Sequence, residues 1–232
     1  GADWLSPTLG TKFVRIGAGT FTMGSPRNEA DRDDDEVQHQ VTLSSAYYLM
    51  AHEVTQGEWQ RVMGSNPSRF AGCADCPVEQ VSWDDAVAFA GKLGELDGLT
   101  GGSRYRLRTE AGWEYGARGG ESFRYAGSNE STSVAWAGAN AGGKTHPVCG
   151  LARNGYGLCD MSGNVREWVS DYYVAYPKGS VIDPAGASNA SSRVIRDGSW
   201  NYRPRFMRGA DRTWVAPSAR ASYVGFRLAR SE

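Results

Sequence analysis

The chain has 232 residues, with 25 Lys and Arg against 26 Asp and Glu and a net charge of −1. That balance excludes a global field for nucleic acid or an anionic membrane surface, and no apolar run is long enough to span a bilayer. The length buries a real core, and Gly 30 with Trp 8 points to one loop-rich domain whose large rings supply much of the buried area.

Residues 1–12 read as an N-terminal extension and 13–232 as the domain. Phe13-Val-Arg-Ile16 and Thr20-Phe-Thr-Met23 alternate around Gly17-Ala-Gly19 and predict a hairpin. Six acids between Glu29 and Glu36 read as a solvated loop. Val41–Ser44 and Tyr47–Met50 follow as strands. Thr55 predicts the N-cap of a helix running through Trp59 and Val62 to a stop at Gly64. Ser82, with Asp85 in the capping-box position, predicts a second, whose apolar stripe is Ala86, Phe89, Ala90 and Leu93. Thr109 opens a third, weakened by Gly112. From Gly119 to Gly157 nothing is periodic, too long for an ordinary connection, so this stretch is functional surface or is pinned by bridges and ions.

Four cysteines form two local couples, Cys73 with Cys76 and Cys149 with Cys159. His39, His52 and His146 are scattered and do not complete a zinc-finger spacing. A redox Cys-x-x-Cys would want a helix after it, where Cys76-Pro77 leads into a strand. Two disulfides in an exported protein are the preferred reading, with an all-reduced cytosolic chain the alternative. The stretch Leu158–Asp171 holds a Gly163-Asn164 turn flanked by Asp160 and Glu167, then an alternating strand from Val165 to Val169. A turn with inward carbonyls between two acids suits a hard cation such as calcium. The competing reading makes Asp160 a turn or cap residue and Glu167 an arginine partner.

Tyr156–Trp168 resembles the signature of the formylglycine-generating enzyme (sulfatase-modifying factor) superfamily. Gly19–Ser25, Glu53–Trp59, Pro77–Trp83, Tyr105–Tyr115, Arg196–Trp200 and Gly225–Leu228 agree with it in order and spacing. The resemblance runs from about Phe13 to Ser231. It implies an α+β, C-type-lectin-like fold with little regular structure. It also implies a structural calcium site on the side chains of Asp160 and Glu167 and the carbonyls of Gly163 and Val165. The family's other calcium site falls within Ala135–Pro147, where this sequence is too divergent for residues to be carried over.

The catalytic members bind copper through a cysteine pair in the segment before the final Gly-Phe-Arg, because Cu(I) prefers sulfur ligands. Here Asn201–Val224 contains no cysteine, so no catalytic residue is assigned and no copper is expected. An iron-dependent sulfoxide-forming branch needs an added helical domain for which there is no room. Non-catalytic relatives include variable proteins of diversity-generating retroelements, which carry their variable residues in this same segment. Asn201, Tyr202, Arg203, Arg205, Arg212, Trp214 and Tyr223 are therefore the candidate ligand-binding residues, rings and guanidiniums being the side chains of binding hot spots. Trp200 reads as core, and the arginines have a competing use as partners of the Glu29–Glu36 acids. The expectation is a monomeric extracytoplasmic domain, its signal sequence absent from this stretch, that binds an unknown protein or small molecule. An enzyme of another kind on the same scaffold, such as a pyoverdine-maturation type, or a regulatory module of a larger protein, is the alternative.

Overall fold

The computed structural model describes residues 1–100 and 102–232. Five strands lead: β1 (Trp4–Leu5), β2 (Lys12–Ile16), β3 (Gly19–Met23), β4 (His39–Leu43) and β5 (Tyr47–Met50). Helices α1 (Gln56–Met63) and α2 (Trp83–Leu96) follow, then β6 (Tyr105–Arg106), α3 (Glu110–Arg118) and the one-turn α4 (Ser131–Val134). The C-terminal part carries β7 (Arg166–Tyr172), β8 (Val181–Ile182), β9 (Arg193–Arg196), a 3₁₀ turn (Pro204–Met207), β10 (Arg212–Val215), β11 (Val224–Gly225) and β12 (Ala229–Ser231).

The strands form three small sheets, ordered β1-β2-β5-β12-β6, β10-β9-β7-β11 and β3-β4-β8, which with the short helices make an α+β unit. The first sheet is buried on both faces, because neighbouring residues point to opposite sides. Phe13, Met50 and Leu228 face a core built with Trp59 and Val62 of α1 and Phe89 and Leu93 of α2. Val14, Leu49 and Ala229 face the opposite core, with Ala111, Trp113 and Ala117 of α3. Inserting β12 between β5 and β6 ties the end of the chain to its beginning.

The helix boundaries follow local chemistry. Thr55 and Glu58 close a capping box on α1, which stops at Gly64 with φ +85°, and Ser82 with Asp85 does the same at the start of α2. Gly112 in α3 has a packing reason: the Arg108 side chain lies where its Cβ would be, and the Tyr47 hydroxyl donates to its carbonyl at 2.6 Å.

Two expectations change. The chain does not turn back on itself after Ile16: β2 pairs with β1 and β5, while β3 pairs with β4 in another sheet. Gly17-Ala-Gly19 is a crossing between sheets, and at Gly19 the Tyr115 hydroxyl leaves no room for a Cβ. Packing also begins ahead of Phe13. Trp4 pairs with Phe13 across the β1–β2 ladder and donates its indole N–H to Tyr105 Oη at 2.9 Å, and Ser6 Oγ donates to Asp97 at 2.6 Å.

Candidate functional site

The turn before β7 is held in left-handed backbone: φ is +50° at Asp160, +89° at Gly163 and +66° at Asn164. Glycine is required at 163, since a Cβ there would strike the backbone of Trp136. Cys149–Cys159 bridges the approach to the turn, with Cα atoms 5.0 Å apart, and Cys73–Cys76 closes a second small loop at 5.3 Å. No cysteine is free among the described residues. The irregular stretch ahead of the turn is pinned by side chains. Asn154 donates to the carbonyls of Gly116 and Ala117, Asn140 to Ala135, and the His146 ring lies flat on Trp136 at 3.9 Å.

The two acids of the expected cage have different surroundings. Glu167 is fully buried and already saturated: Arg227 donates to both of its oxygens at 2.7–2.9 Å, and the Trp113 indole donates to Oε2 at 2.7 Å. Burial works against the Arg227 charge, but Glu167 outweighs it and raises the guanidinium pKa. Asp160 accepts from the Cys149 amide at 2.6 Å through Oδ2, while its buried Oδ1 has no partner. Burial raises the pKa of Asp160, with the charge of Glu167 adding to it. The Gly163 amide donates to Asp197 at 2.7 Å, and the Val165 side chain is fully buried. A cation therefore fits the unpartnered side of Asp160, but the lone pairs of Glu167 are taken by Arg227 and Trp113. Asp160 also lies close to Cys149 and Cys159, whose sulfurs are spent on the disulfide and offer no thiolate.

The candidate ligand-binding residues separate into groups. Tyr202 and Tyr223 meet edge to face with ring centroids 5.7 Å apart, and Phe206 packs on Tyr202 at 5.4 Å. The Arg166 guanidinium sits 4.7 Å from the Tyr202 centroid and pairs with Asp211 at 3.2 Å. Asn201 and Arg203 flank Tyr202 on exposed backbone. Trp200 is half-buried rather than core, its indole donating to the Ser222 carbonyl at 2.8 Å and its ring edge-on to Phe70.

Arg205 pairs with Asp33 at 2.9 Å. The buried Arg208 binds Glu36 through both Nη atoms at 2.6 and 2.7 Å, and reaches Glu29 at 2.9 Å. The acidic run is thus only in part a solvated loop. Glu36 is fully buried, and Glu29, Asp33 and Glu36 face Arg205 and Arg208 of the C-terminal segment, while Asp31 and Asp34 stay exposed. Arg212 is likewise not surface. It is buried on Glu110 at 2.8 Å and lines a small, partly open pocket with Met23, His39 and Tyr176. Trp214, half-exposed on β10, packs on Tyr173 at 5.9 Å. Arg166 and Phe206 join the Tyr202 cluster without being among the candidates from sequence; the strand alternation that sets Arg166 opposite Glu167 is a usable signal for the first, and nothing local marks the second.

The chain matches the sulfatase-modifying factor enzyme 1-like domain over residues 6–232, and it belongs to that family. It is 35% identical to the formylglycine-generating enzyme of Streptomyces coelicolor, over 76% of this chain and 59% of that protein. It is 35% identical to the chaperone protein LppX of Paenibacillus barcinonensis, over 57% of this chain and 64% of that protein. The chain thus spans about three-fifths of the length of these relatives. It is also 31% identical to the serine/threonine-protein kinase pkn1 of Chlamydia caviae, over 96% of this chain but 38% of that protein. Among solved structures, Treponema denticola variable protein 1 superposes with a TM-score of 0.90 at 31% identity, covering 100% of this chain and 99% of that one. PvdO from Pseudomonas aeruginosa does so at 0.86 and 29%, covering 100% and 98%.

Proposed function

We propose that this chain is a non-catalytic, lectin-like binding domain that presents Asn201, Tyr202, Arg203 and Tyr223 to a protein or small-molecule ligand outside the cytoplasm. The observation that carries this reading is the half-buried cluster of Tyr202, Phe206 and Tyr223, with the Arg166 guanidinium against Tyr202 and Phe206. Rings already fixed at a surface lose little freedom on binding, which is how aromatic anchors gain affinity. The buried Arg208–Glu36 pair anchors the backbone just beyond Phe206. The likeness to a variable protein supports the diversity-generating-retroelement type. The two disulfides support an oxidising compartment, and among the described residues no helix is long and apolar enough to cross a membrane. A structural calcium ion at the Asp160 turn belongs to the reading. The rival is an enzyme of another kind or a module of a larger protein; the kinase relative, in which the match fills 38% of the length, favours the module.

Two experiments test it. Incubation with a sulfatase-motif cysteine peptide, oxygen and copper is expected to leave the peptide mass unchanged. Copper-dependent conversion above a no-protein control overturns the non-catalytic reading. Screening the wild type on glycan and secreted-protein arrays, beside Tyr202→Ala and a control at the exposed Ile182, is expected to show binding lost only in the first variant. Binding retained in Tyr202→Ala moves the site elsewhere.

A further inference from the structure

The sheet order leaves β6 at an edge: β12 pairs with it on one side, and among the described residues no strand pairs with it on the other. The Ser231 amide donates to the Arg104 carbonyl at 3.2 Å, which fixes the phase of this antiparallel ladder. Bonded positions alternate in such a pair, so the main chain of Arg104 and Arg106 turns toward β12 and that of Tyr105 and Leu107 turns outward. Among the described residues, neither Tyr105 nor Leu107 has a backbone partner on that outer side. Unpaired main-chain groups along a strand edge are a template for one more strand.

A groove of about 360 Å³ runs beside this edge, between β6 and α2. Its α2 wall is apolar. Trp83, anchored by its indole N–H to the Val169 carbonyl at 2.9 Å, is followed at helical spacing by Val87, Ala90 and Gly91. Val87 is 42% exposed, and a Cβ on Gly91 would meet nothing within 4 Å. No carboxylate lines the groove, but Arg104 and Arg106 do. Among the described residues neither arginine forms an ion pair. The Arg106 guanidinium donates to Ser231 Oγ at 3.3 Å, and burial, with the charges of Arg108 and Arg104, lowers its pKa to about 10.

Strand geometry converts these surroundings into a ligand, because successive side chains point to opposite faces. Tyr105 and Leu107 face the core that α2 covers. Arg106 pairs with Ala229, which faces the opposite core, and Arg104 shares that side. A strand added to the edge would set alternate side chains against Val87, Ala90 and Gly91, and those between them beside the two guanidiniums. Apolar residues suit the first positions and acids the second, since opposite charges across a strand pair attract. A second copy of β6 does not suit the edge, because it brings arginines against arginines.

We propose that the free edge of β6 and the adjoining face of α2 form a docking groove for an extended peptide segment in which apolar and acidic residues alternate. The segment joins the sheet through the main chain of Tyr105 and Leu107, by β-strand addition. The groove shares no residue with the Asn201–Tyr223 segment, so this surface is additional to the one proposed above.

The probe is an end-blocked, fluorescein-labelled hexapeptide alternating valine and glutamate. Its controls are the same peptide N-methylated at every residue and a valine–lysine version. Fluorescence anisotropy is expected to show micromolar binding of the probe and at least about tenfold weaker binding of both controls. Amide exchange at Tyr105 and Leu107 is expected to slow when the probe is added. Gly91→Phe fills the groove from an exposed helix position where glycine is the weaker helix former, and is expected to weaken binding at least about tenfold. Arg104→Glu, also exposed, is expected to weaken it about fivefold, and Tyr202→Ala to leave it unchanged. No binding of the probe at millimolar concentration overturns the inference, as does equal binding of the N-methylated peptide. Undiminished binding in Gly91→Phe, or loss of binding in Tyr202→Ala, places the peptide elsewhere and overturns it too. A wild-type dimer in sedimentation equilibrium that Gly91→Phe dissolves assigns the groove to a second copy of the chain and overturns the acidic-peptide assignment.

Discussion

Arg227 donates to both oxygens of Glu167, and neither partner is exposed, so each is the other's compensation for leaving water. Removing the carboxylate strands a buried guanidinium that still contacts only the carbonyls of Met50, Cys159 and Asp160. Glu167→Gln keeps the volume, so the change isolates charge. Breaking a buried pair in this way costs about 3–5 kcal/mol, and here the loss is expected with and without calcium alike. Urea unfolding in the two buffers measures it; a loss confined to the calcium-containing buffer would make Glu167 a ligand instead. At this scale the spacing of Asp160 and Glu167 exposed both acids but not their partners. The arginine that claims Glu167 lies 60 residues further on, beyond the reach of any local pattern.

Among the elements, the helices were legible and the charge run was not. Thr55, Ser82 and Thr109 each cap a helix through a hydrogen bond three residues away, so the information is local and survives without tertiary structure. The segment Glu29–Glu36 looks polar at every window length, and the burial of Glu36 is decided by Arg208, 172 residues away. The two arginines reaching this segment should behave differently. Arg208 is fully buried against Glu36, whereas the Arg205–Asp33 pair leaves side-chain exposures of 38% and 45%. Arg208→Met is expected to destabilise by about 3–5 kcal/mol, and Arg205→Met by about 1 kcal/mol or less. Hydrogen exchange in Arg208→Met should also rise across residues 29–36 and 204–208, because the buried contacts of Arg208 with Glu36 and Glu29 hold the two together. Equal, small losses for both variants would return the acidic run to a solvated loop.

Across the whole molecule, buried ion pairs take a structural share that regular secondary structure leaves open. Arg196 bridges Glu110 and Glu114, Arg212 pairs with Glu110, and Arg166 with Asp211. Composition showed nearly equal numbers of acids and bases but not that many of them are inside. The consequence is a stability curve with opposing arms. Burial, with the charge of Glu110, lifts Asp171 to about 6, and burial lifts Asp211 to about 6 against the pull of Arg166 and Arg208. The native state holds these protons more tightly than the unfolded chain, whose aspartates titrate near 3.8, so stability rises as pH falls from 7 toward 4. Glu36 and Glu114 act in reverse. Burial would raise both, but Arg208 and Ser25 on Glu36, and the charges of Arg118 and Arg196 on Glu114, hold them below 4.5. Their contribution is present above that value and is lost as pH falls through the folded pKa. Maximum stability is therefore expected between about pH 4.5 and 6, with Asp171 supplying about 1 kcal/mol of the gain between pH 7 and 5. Asp171→Asn keeps an acceptor for the Glu110 amide, which now bonds Oδ2 at 2.9 Å, while removing the titration. Its urea-derived stability should change about 1 kcal/mol less between pH 7 and 5 than that of the wild type. Parallel curves for the two proteins would mean that Asp171 stays ionised throughout and that the acid arm arises elsewhere.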